Sequence, residues 1–332
     1  MRFVYKNQKY LLLAVILICT LSFSVFNLNK PKVNKKIIIC GVCRNIELSV
    51  GNVKTNMEAL GKNFEDYAVI ICENNSKDNT SALLKEWEKE NPKVTIISEF
   101  LTPDKLPPHR EGGIARARNV VLATAKNAKY RDFEYFIMSD LDFRSPWPIQ
   151  EIINTINSPI EWDSVTANGL KDMMYWDHYT FLDAKYPFGA ELMGGDWWSR
   201  LWNDFFAFKQ DEWVPVYSAF GGLGIYKTAT ILKFAYSGTV TEDLQKYYKK
   251  IMMSTPRSHP ELQRYLQLVG ESVDADLSKV PIKFCGIPGY ENPENFFRVV
   301  CSDHVPLHAS MAMNGYVKMY VNPKMYMFYQ KN

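Results

Sequence analysis

Three features are scarce in this chain of 332 residues, and each shortage narrows what the protein can be. Its six cysteines show no spacing typical of a zinc site. The net charge is only +3, and no basic stripe with interleaved aromatic residues is present, so we expect no nucleic-acid partner. No internal repeat is found, which excludes an architecture built from repeated units.

The hydrophobic run near the amino end is short as well. Residues 11–26 contain no charged side chain, but this run of 16 falls below the ~20 that a membrane-spanning helix needs. Uncharged neighbours extend the run, and the lack of a clear small-x-small cleavage site weighs against the alternative of a signal peptide. We therefore expect a single-pass anchor over residues 10–28, after a cytoplasmic tail at 1–9 and before a linker at 29–35.

The rest of the chain alternates short β-branched runs with helical periodicity. This alternation predicts an α/β fold in which a Rossmann-like, mostly parallel central sheet is flanked by helices. Residues 281–332 are expected to mix short strands and turns. Strands are predicted over 36–40, 67–72, 94–97, 133–139 and 162–168, and helices over 46–60, 80–90, 114–125, 241–252 and 260–268.

Two carboxylates follow the apolar run that ends at Ser139. Asp140 and Asp142 are separated by one residue, and alternate residues of an extended chain point to the same side. Open α/β sheets bind ligands in the crevice at the carboxyl ends of their strands. Hard oxygen ligands there suit Mg²⁺ or Mn²⁺, which commonly share their coordination with substrate phosphates. A solvated turn after a strand is the alternative interpretation.

A polar loop, Glu73 to Thr80, follows the second predicted strand. Its composition suits a helix cap, which is the simpler interpretation. The functional interpretation places Glu73, Asn75 and Asp78 against a base and ribose, because acidic side chains after strands accept hydrogen bonds from ribose in nucleotide-binding sheets.

Two arginines lie in the first turns of the helix predicted next. Arg116 and Arg118 are two residues apart, so they point to nearly opposite faces and at most one faces the crevice. An arginine there is suited to bidentate binding of a diphosphate. Solvated surface charges are the alternative.

Together these motifs form a recognisable series. A strand, then E-N-N-S-x-D-x-T, then A-R-N on a helix, then a strand ending in D-x-D resembles nucleotide-sugar glycosyltransferases of the GT-A fold, over residues 36–143. The later motifs F-G-G-L-G-I-Y, C-S-D-H and Y-W-D resemble the fungal capsule-associated α-1,3-mannosyltransferases. That family usually has N-D-V where this chain has D-L-D, and C-E-H where it has C-S-D-H.

The resemblance implies a metal site and a donor site. Asp140 and Asp142 would hold Mn²⁺ or Mg²⁺, with Asp140 also contacting the donor and His304 as a late metal ligand. The metal would neutralise the diphosphate leaving group. The nucleotide and sugar would be held by Arg118, Asn119, Gly221 and Gly222.

The resemblance also implies candidates for catalysis. If transfer inverts the anomeric carbon, a carboxylate acts as general base on the acceptor hydroxyl, and Asp303 and Asp177 are the candidates. If transfer retains the configuration, as in the fungal family, no such base is needed. The stereochemistry stays open at this stage.

The implied protein is a metal-dependent glycosyltransferase that moves a hexose such as mannose from a GDP- or UDP-linked sugar to a glycan or glycoprotein acceptor. Residues 36–332 would form the catalytic domain, with a nucleotide-sugar half at 36–145 and an acceptor half at 146–332. The anchor would make it a type II membrane protein on the lumenal side of the Golgi or endoplasmic reticulum. A nucleotidyltransferase, a nucleotide-sugar hydrolase and a non-catalytic glycan-binding module are the alternatives.

Two cysteines bracket a loop rich in proline, glycine and asparagine. Cys285 and Cys301 could form a disulfide if the domain lies in an oxidising lumen. Cys40, Cys43 and Cys72 lie on or beside predicted strands and are expected to be core residues.

Overall fold

The computed structural model describes residues 32–143, 145–171, 174–194, 208, 210–284 and 300–329. The predicted tail and anchor, together with Cys285, lie outside this part of the chain. Within the described ranges, no helix combines the length and the apolar character needed to cross a membrane. The anchor and the Cys285–Cys301 bridge therefore stay predictions.

One sheet contains all the strands of the described residues. The strands are β1 (Val33–Cys43), β2 (Phe64–Asn74), β3 (Val94–Glu99), β4 (Tyr135–Asp140), β5 (Ser164–Lys171), β6 (Met174–Tyr175), β7 (Val214–Pro215), β8 (Leu223–Lys227) and β9 (Met319–Phe328). Their order is β3-β2-β1-β4-β8-β5-β9-β7, and β6 pairs with β5.

Helices flank this sheet. They are α1 (Val50–Gly61), α2 (Thr80–Glu90), α3 (Arg110–Ala125), α4 (Ile149–Ile156), α5 (Gly189–Met193), α6 (Thr228–Ile231), α7 (Glu242–Ser254), α8 (Pro260–Leu268) and α9 (His304–Met313). Two short 3₁₀ turns, Pro103–Lys105 and Ala128–Tyr130, complete the regular structure.

The sheet is mostly parallel, as the alternating pattern predicts. Strands β1 to β4 run parallel to one another. Strand β8 is antiparallel to both β4 and β5, and β9 is parallel to β5. The carboxyl ends of β1 to β5 and of β9 consequently meet at one edge, which we call the carboxyl edge. The opposite side, where these strands begin, is the amino edge.

The central strands are apolar along their length because helices cover both faces of the sheet. Residues 37–40 of β1 and 69–72 of β2 are completely buried. One core packs α3, α7 and α9 against the sheet, and the other core packs α1, α2 and α4 on the opposite face. This two-sided burial confirms the α/β class expected from the sequence.

Several boundaries differ from the sequence prediction, and two of them lie near the start of the folded domain. Strand β1 begins at Val33, inside the predicted linker, because its amide donates to the carbonyl of Asn63 at 2.8 Å. The helix predicted from residue 46 begins at Val50. Asn45, just before the predicted start, has a φ of 56° and accepts a hydrogen bond from the amide of Lys77.

The late segment is more regular than the expected mixture of short strands and turns. It contains the ten-residue helix α9 and the ten-residue strand β9. Helix α9 is buried on almost every side, so its sequence shows none of the polar-apolar periodicity that identifies a surface helix.

Candidate functional site

Asp140 is the last residue of β4 and lies at the carboxyl edge. Its Oδ1 accepts a hydrogen bond from Nη2 of Arg118 at 2.9 Å, and its Oδ2 accepts one from the hydroxyl of Tyr329 at 3.0 Å. Its backbone amide donates to the carbonyl of Gly222 at 3.0 Å. Two side chains from separate parts of the chain therefore orient this carboxylate, and a third contact fixes its backbone.

Arg118 connects Asp140 to a second carboxylate. Its Nη1 donates to both oxygens of Asp303, at 2.8 and 2.7 Å, and the guanidinium lies 4.8 Å from the Phe220 ring and 5.5 Å from the Tyr236 ring. Burial by itself would lower the pKa of Arg118, but the charges of Asp303 and Asp140 raise it overall, so the group stays a cation. The sequence resemblance implies that Arg118 binds the nucleotide, whereas the structure turns its guanidinium inward, onto Asp303 and Asp140.

Two further carboxylates approach this pair. Asp142 reaches solvent, yet partial desolvation of its carboxyl and then the charge of Asp140 raise its pKa to about 6, against a smaller lowering effect of Arg110. Burial and the charges of Asp140 and Asp303 raise the pKa of Asp177 to about 7. The site thus holds more negative charge than its arginines neutralise.

The backbone at Asp177 is strained. Its φ is 83°, in the left-handed region that non-glycine residues rarely adopt. Thr180 holds this turn, because its amide and its hydroxyl both donate to the Asp177 carbonyl, at 3.1 and 2.8 Å. Strain of this kind costs ~1–3 kcal/mol and tends to occur at functional sites.

The carboxylates fit a divalent cation in part. Asp140 and Asp142 offer hard oxygen ligands in a place with surplus negative charge, which suits Mg²⁺ or Mn²⁺ with the remaining coordination left to water and phosphate. Across the described part of the chain, no three His, Cys, Asp or Glu side chains are grouped closely enough to hold a metal. The predicted three-ligand set is therefore not assembled.

His304 is the predicted ligand that does not join the others. It is buried at the start of α9, and its ring stacks on Phe220 with centroids 3.8 Å apart. Neither ring nitrogen has a hydrogen-bond partner within the described ranges. Burial first, and then the charge of Arg118, lower its pKa well below the usual value. The ring therefore packs as a neutral aromatic group.

The polar loop after β2 holds itself together with the side chains that were assigned to the nucleotide. Glu73 is buried, and its two oxygens accept hydrogen bonds from the Ser76 amide at 2.9 Å and the Ser98 hydroxyl at 2.6 Å. Asn75 pairs with the backbone of Leu101 through both ends of its amide.

Asp78 has a similar role in this loop. Its Oδ1 accepts from the Thr80 amide at 3.1 Å, and its Oδ2 accepts from the Glu47 amide at 3.2 Å. The first of these bonds joins the loop to the first residue of α2, although the N-cap residue Asn79 makes no side-chain cap bond. The side chains of the loop therefore shape the carboxyl edge through contacts within the protein.

The remaining residues assigned to nucleotide or sugar also make internal contacts. Asn119 donates to the carbonyl of Tyr236 at 2.9 Å and accepts from its amide at 2.8 Å. Gly221 and Gly222 have φ values of 61° and 87°, and a Cβ on either would come within 2.2 Å of neighbouring atoms, namely the Ala167 carbonyl oxygen and the Phe143 ring. These glycines let the backbone reach the sheet beside Asp140.

One residue of the site was missed from the sequence. Tyr329 follows β9 directly, and its ring lies 4.2 Å from that of Phe143 and 5.3 Å from that of Trp176. The only sequence signal is its position just beyond a strand, because its partner Asp140 is 189 residues away. The structure brings together Asp140, Asp142, Asp177, Asp303, Arg118 and Tyr329 at the carboxyl edge.

Comparison with known proteins identifies no family. No family model matches the chain, and no curated protein does. Among solved structures, it is similar to the mannosyltransferase PcManGT from Pyrobaculum calidifontis in complex with GDP-Man and Mn²⁺, at 14% identity and a TM-score of 0.43, over 91% of this chain and 61% of that chain. It is also similar to TarS from S. aureus, at 15% identity and a TM-score of 0.35, over 60% of this chain and 30% of that chain.

A third solved structure is similar at a lower score. The 4-diphosphocytidyl-2C-methyl-D-erythritol synthase from Anaerococcus prevotii matches at 12% identity and a TM-score of 0.33, over 72% of this chain and 85% of that chain. The chain spans less than two thirds of the length of the first two proteins. At these identities and scores the likeness assigns neither an activity nor a metal nor a donor, and the fungal resemblance stays a prediction.

Proposed function

We propose that the protein is a metal-dependent glycosyltransferase that moves a hexose from a GDP- or UDP-linked sugar to a glycan or glycoprotein acceptor. One observation carries this proposal: Asp140, held on both oxygens, lies with Asp142 and Asp177 at the carboxyl edge of a mostly parallel sheet, in surplus negative charge. This is the edge where open α/β sheets bind nucleotides. Mannose is the sugar that the sequence resemblance favours.

Asp140 and Asp142 would hold the cation through their carboxylate oxygens. When bound, a divalent cation supplies Lewis-acid stabilisation of the diphosphate leaving group. Arg118 and Tyr329 keep Asp140 oriented by one hydrogen bond to each of its oxygens. Groups that orient a metal ligand in this way strongly affect the metal affinity and the activity of a site.

Asp177 is the better candidate for a general base. Both oxygens of Asp303 accept from Arg118, whereas the Asp177 carboxyl forms no ion pair with any described residue. Its pKa of about 7 suits proton transfer near neutral pH. Asp177 would take the proton of the acceptor hydroxyl while that oxygen bonds to the anomeric carbon and the bond from this carbon to the diphosphate oxygen breaks. Such a displacement inverts the anomeric configuration.

The proposal includes the membrane anchor at residues 10–28, with the folded domain on the lumenal side of the Golgi or endoplasmic reticulum. Its support is the uncharged run at 11–26 and the absence of a clear cleavage site after it. The glycan acceptors of such a compartment match the acceptor class proposed here.

The test is transfer from GDP- and UDP-hexoses in Mn²⁺ by the full chain, comparing wild type with Asp142→Ala. We expect Asp142→Ala to lose nearly all transfer, and the exposed control Asp274→Ala to keep it. Transfer that survives in Asp142→Ala contradicts the assigned role. Pyrophosphate release would indicate a nucleotidyltransferase, acceptor-independent release of sugar would indicate a hydrolase, and glycan binding without any nucleotide requirement would indicate a binding module.

A further inference from the structure

Two aromatic side chains near the carboxyl end of β9 are exposed. Tyr326 is 37% exposed and Phe328 is 45% exposed, and their ring centroids are 6.1 Å apart with an interplanar angle of 26°. They alternate with Met325 and Met327, which are completely buried. Because successive residues of a strand point to opposite faces, both rings stand on the same side of β9. We call these two residues the β9 aromatic pair.

The register of the sheet shows which face the β9 aromatic pair occupies. Phe328 is paired with Leu170 of β5, and Leu170 is paired with Tyr175 of β6. Paired residues of neighbouring strands point to the same face, and Tyr175 is buried in the core that packs α3 and α9. Arg118 belongs to α3, and Asp303 directly precedes α9. The β9 aromatic pair therefore lies on the face of the sheet that also carries the carboxylates of the crevice.

The β9 aromatic pair also lies close to the proposed base. Strands β6, β5 and β9 are neighbours, so Phe328 is two strand spacings from Tyr175, or about 10 Å. Asp177 is two residues beyond Tyr175. Phe328 is followed directly by Tyr329, which bonds to Asp140. A ligand whose reacting hydroxyl lies at Asp177 would thus meet the pair if it extended on the order of 10 Å from that hydroxyl.

Exposed aromatic rings beside polar groups suit the binding of sugar rings. The C–H groups of a pyranose form an apolar patch that packs on an aromatic face, while its hydroxyls bond to polar groups at the edge. Lys324, two residues before Tyr326, is also exposed and forms an ion pair with Asp211 at 3.0 Å. The two strand positions therefore offer both kinds of contact to an extended glycan.

The area of the β9 aromatic pair argues against a protein as its occupant. A whole aromatic side chain offers 150–250 Å², so the exposed parts of these two rings come to about 200 Å² at most. A stable protein interface buries roughly 800 Å² on each partner. A few sugar units, which need a narrow strip of surface that continues from the crevice, fit the observed patch better.

We infer that the β9 aromatic pair binds the outer sugar units of an oligosaccharide acceptor whose end reacts in the crevice. The inference rests on the proposed function and deepens it, because it makes the acceptor a glycan of several units and not a single sugar or a protein side chain. Contacts with units remote from the reaction then favour long acceptors over short ones. The protein would extend a glycan that another transfer reaction has begun.

The test is binding of the full chain to an array of linear α- and β-linked oligosaccharides of mannose, glucose, galactose and N-acetylglucosamine, from one to six units long. The array is probed in Mn²⁺ with GDP or UDP, so that acceptor binding that follows nucleotide binding is also detected. We expect at least one series to bind at least about tenfold more tightly at five units than at two. The double variant Tyr326→Ala, Phe328→Ala should lose this gain and bind the two-unit glycan as wild type does.

Two further variants serve as controls. Phe100→Ala removes a ring that is 86% exposed and follows β3, at the opposite end of the strand order, and Tyr326→Phe keeps both rings of the pair. Both variants should keep the gain in affinity with length. Because the removed rings are exposed, the double variant should unfold at the temperature of wild type, which separates a loss of binding from a loss of folding.

Several results would overturn the inference. They are affinity that rises with length in no series, an equal loss in Phe100→Ala, and a wild-type gain with length in the double variant. A wild-type dimer that the double variant separates in sedimentation would also overturn it, since the pair would then join two copies of the chain. Asp142→Ala should keep the gain with length, so failure of the proposed chemistry and failure of the glycan surface are distinguishable.

Discussion

Tyr329 donates its phenolic hydrogen to Oδ2 of Asp140 across 3.0 Å, while Arg118 occupies Oδ1 at 2.9 Å. The two donors come from the end of the chain and from α3, so the carboxylate is held by segments that are far apart in sequence. A carboxylate fixed in this way presents its remaining lone pairs in one direction. That direction decides where a cation would lie.

Removing the Tyr329 hydroxyl should weaken metal binding and leave the fold intact. Tyr329→Phe keeps the ring against Phe143 but frees one oxygen of Asp140. We expect the Mn²⁺ concentration for half-maximal transfer to rise about 10-fold to 100-fold. The control is Tyr326→Phe, the same change at an exposed ring near the end of β9. An unchanged Mn²⁺ requirement in Tyr329→Phe would contradict the positioning role.

Two arginines of α3 should differ sharply in their effect on stability. Arg118 is 4% exposed in its side chain and Arg116 is 32% exposed, although both bind carboxylates. Arg118→Met leaves Asp140 and Asp303 without their cation and should cost about 3–5 kcal/mol of unfolding free energy. Arg116→Met removes a half-exposed pair with Glu99 and should cost about 0–1 kcal/mol. Urea unfolding measures both, and equal losses would refute the burial argument.

Asp177→Asn should lower the transfer activity and raise the stability of the fold. A base role predicts a loss of transfer of about 10²–10⁴-fold. In wild type the rate should rise with pH through about 7, where the Asp177 carboxyl ionises. Retained activity in this variant, or retention of the anomeric configuration by NMR, would exclude the base role.

The stability of the same variant should depend on pH in a defined direction. The folded-state pKa of Asp177, about 7, lies above its ordinary value of 3.8. Between these two pH values the folded protein binds more protons than the unfolded protein, so Asp177 contributes less to folding stability as the pH rises. Asp177→Asn removes this loss, and asparagine also tolerates a positive φ better. We expect metal-free Asp177→Asn to gain roughly 1–3 kcal/mol over wild type at pH 8 and less at pH 5. A larger gain at pH 5 would refute the pKa shift.

Glycine at position 221 should be required for packing as well as for its backbone angle. A Cβ at Gly221 would come within 2.2 Å of the Ala167 carbonyl oxygen, whereas Gly270, also with positive φ, has no atom within 4 Å of such a Cβ. Gly221→Ala should therefore cost about 2–5 kcal/mol and Gly270→Ala only about 1–2 kcal/mol. Thermal unfolding of the two variants makes the comparison. Equal losses would mean that the backbone angle alone matters.

Local signals predicted several elements of the fold. Strand β3 and helices α2 and α8 have the expected starts, because a polar cap or a proline precedes a clear apolar period in each helix. The late helix α9 escaped detection since a helix buried on all sides carries no periodic signal. The packing of His304 against Phe220 was also not predicted, because a place in a packed core is not visible in the motif around it.

By itself the sequence determined that a mostly parallel sheet forms and that Asp140 and Asp142 lie at the end of one of its central strands, since periodicity and turn chemistry act over a few residues. Only the tertiary structure decided which groups surround them. Arg118 meets Asp303 across 185 residues and Tyr329 meets Asp140 across 189, and no local pattern encodes a pairing at such separations. Those contacts depend on how the strands order themselves and on which side chains the packed helices leave facing one edge.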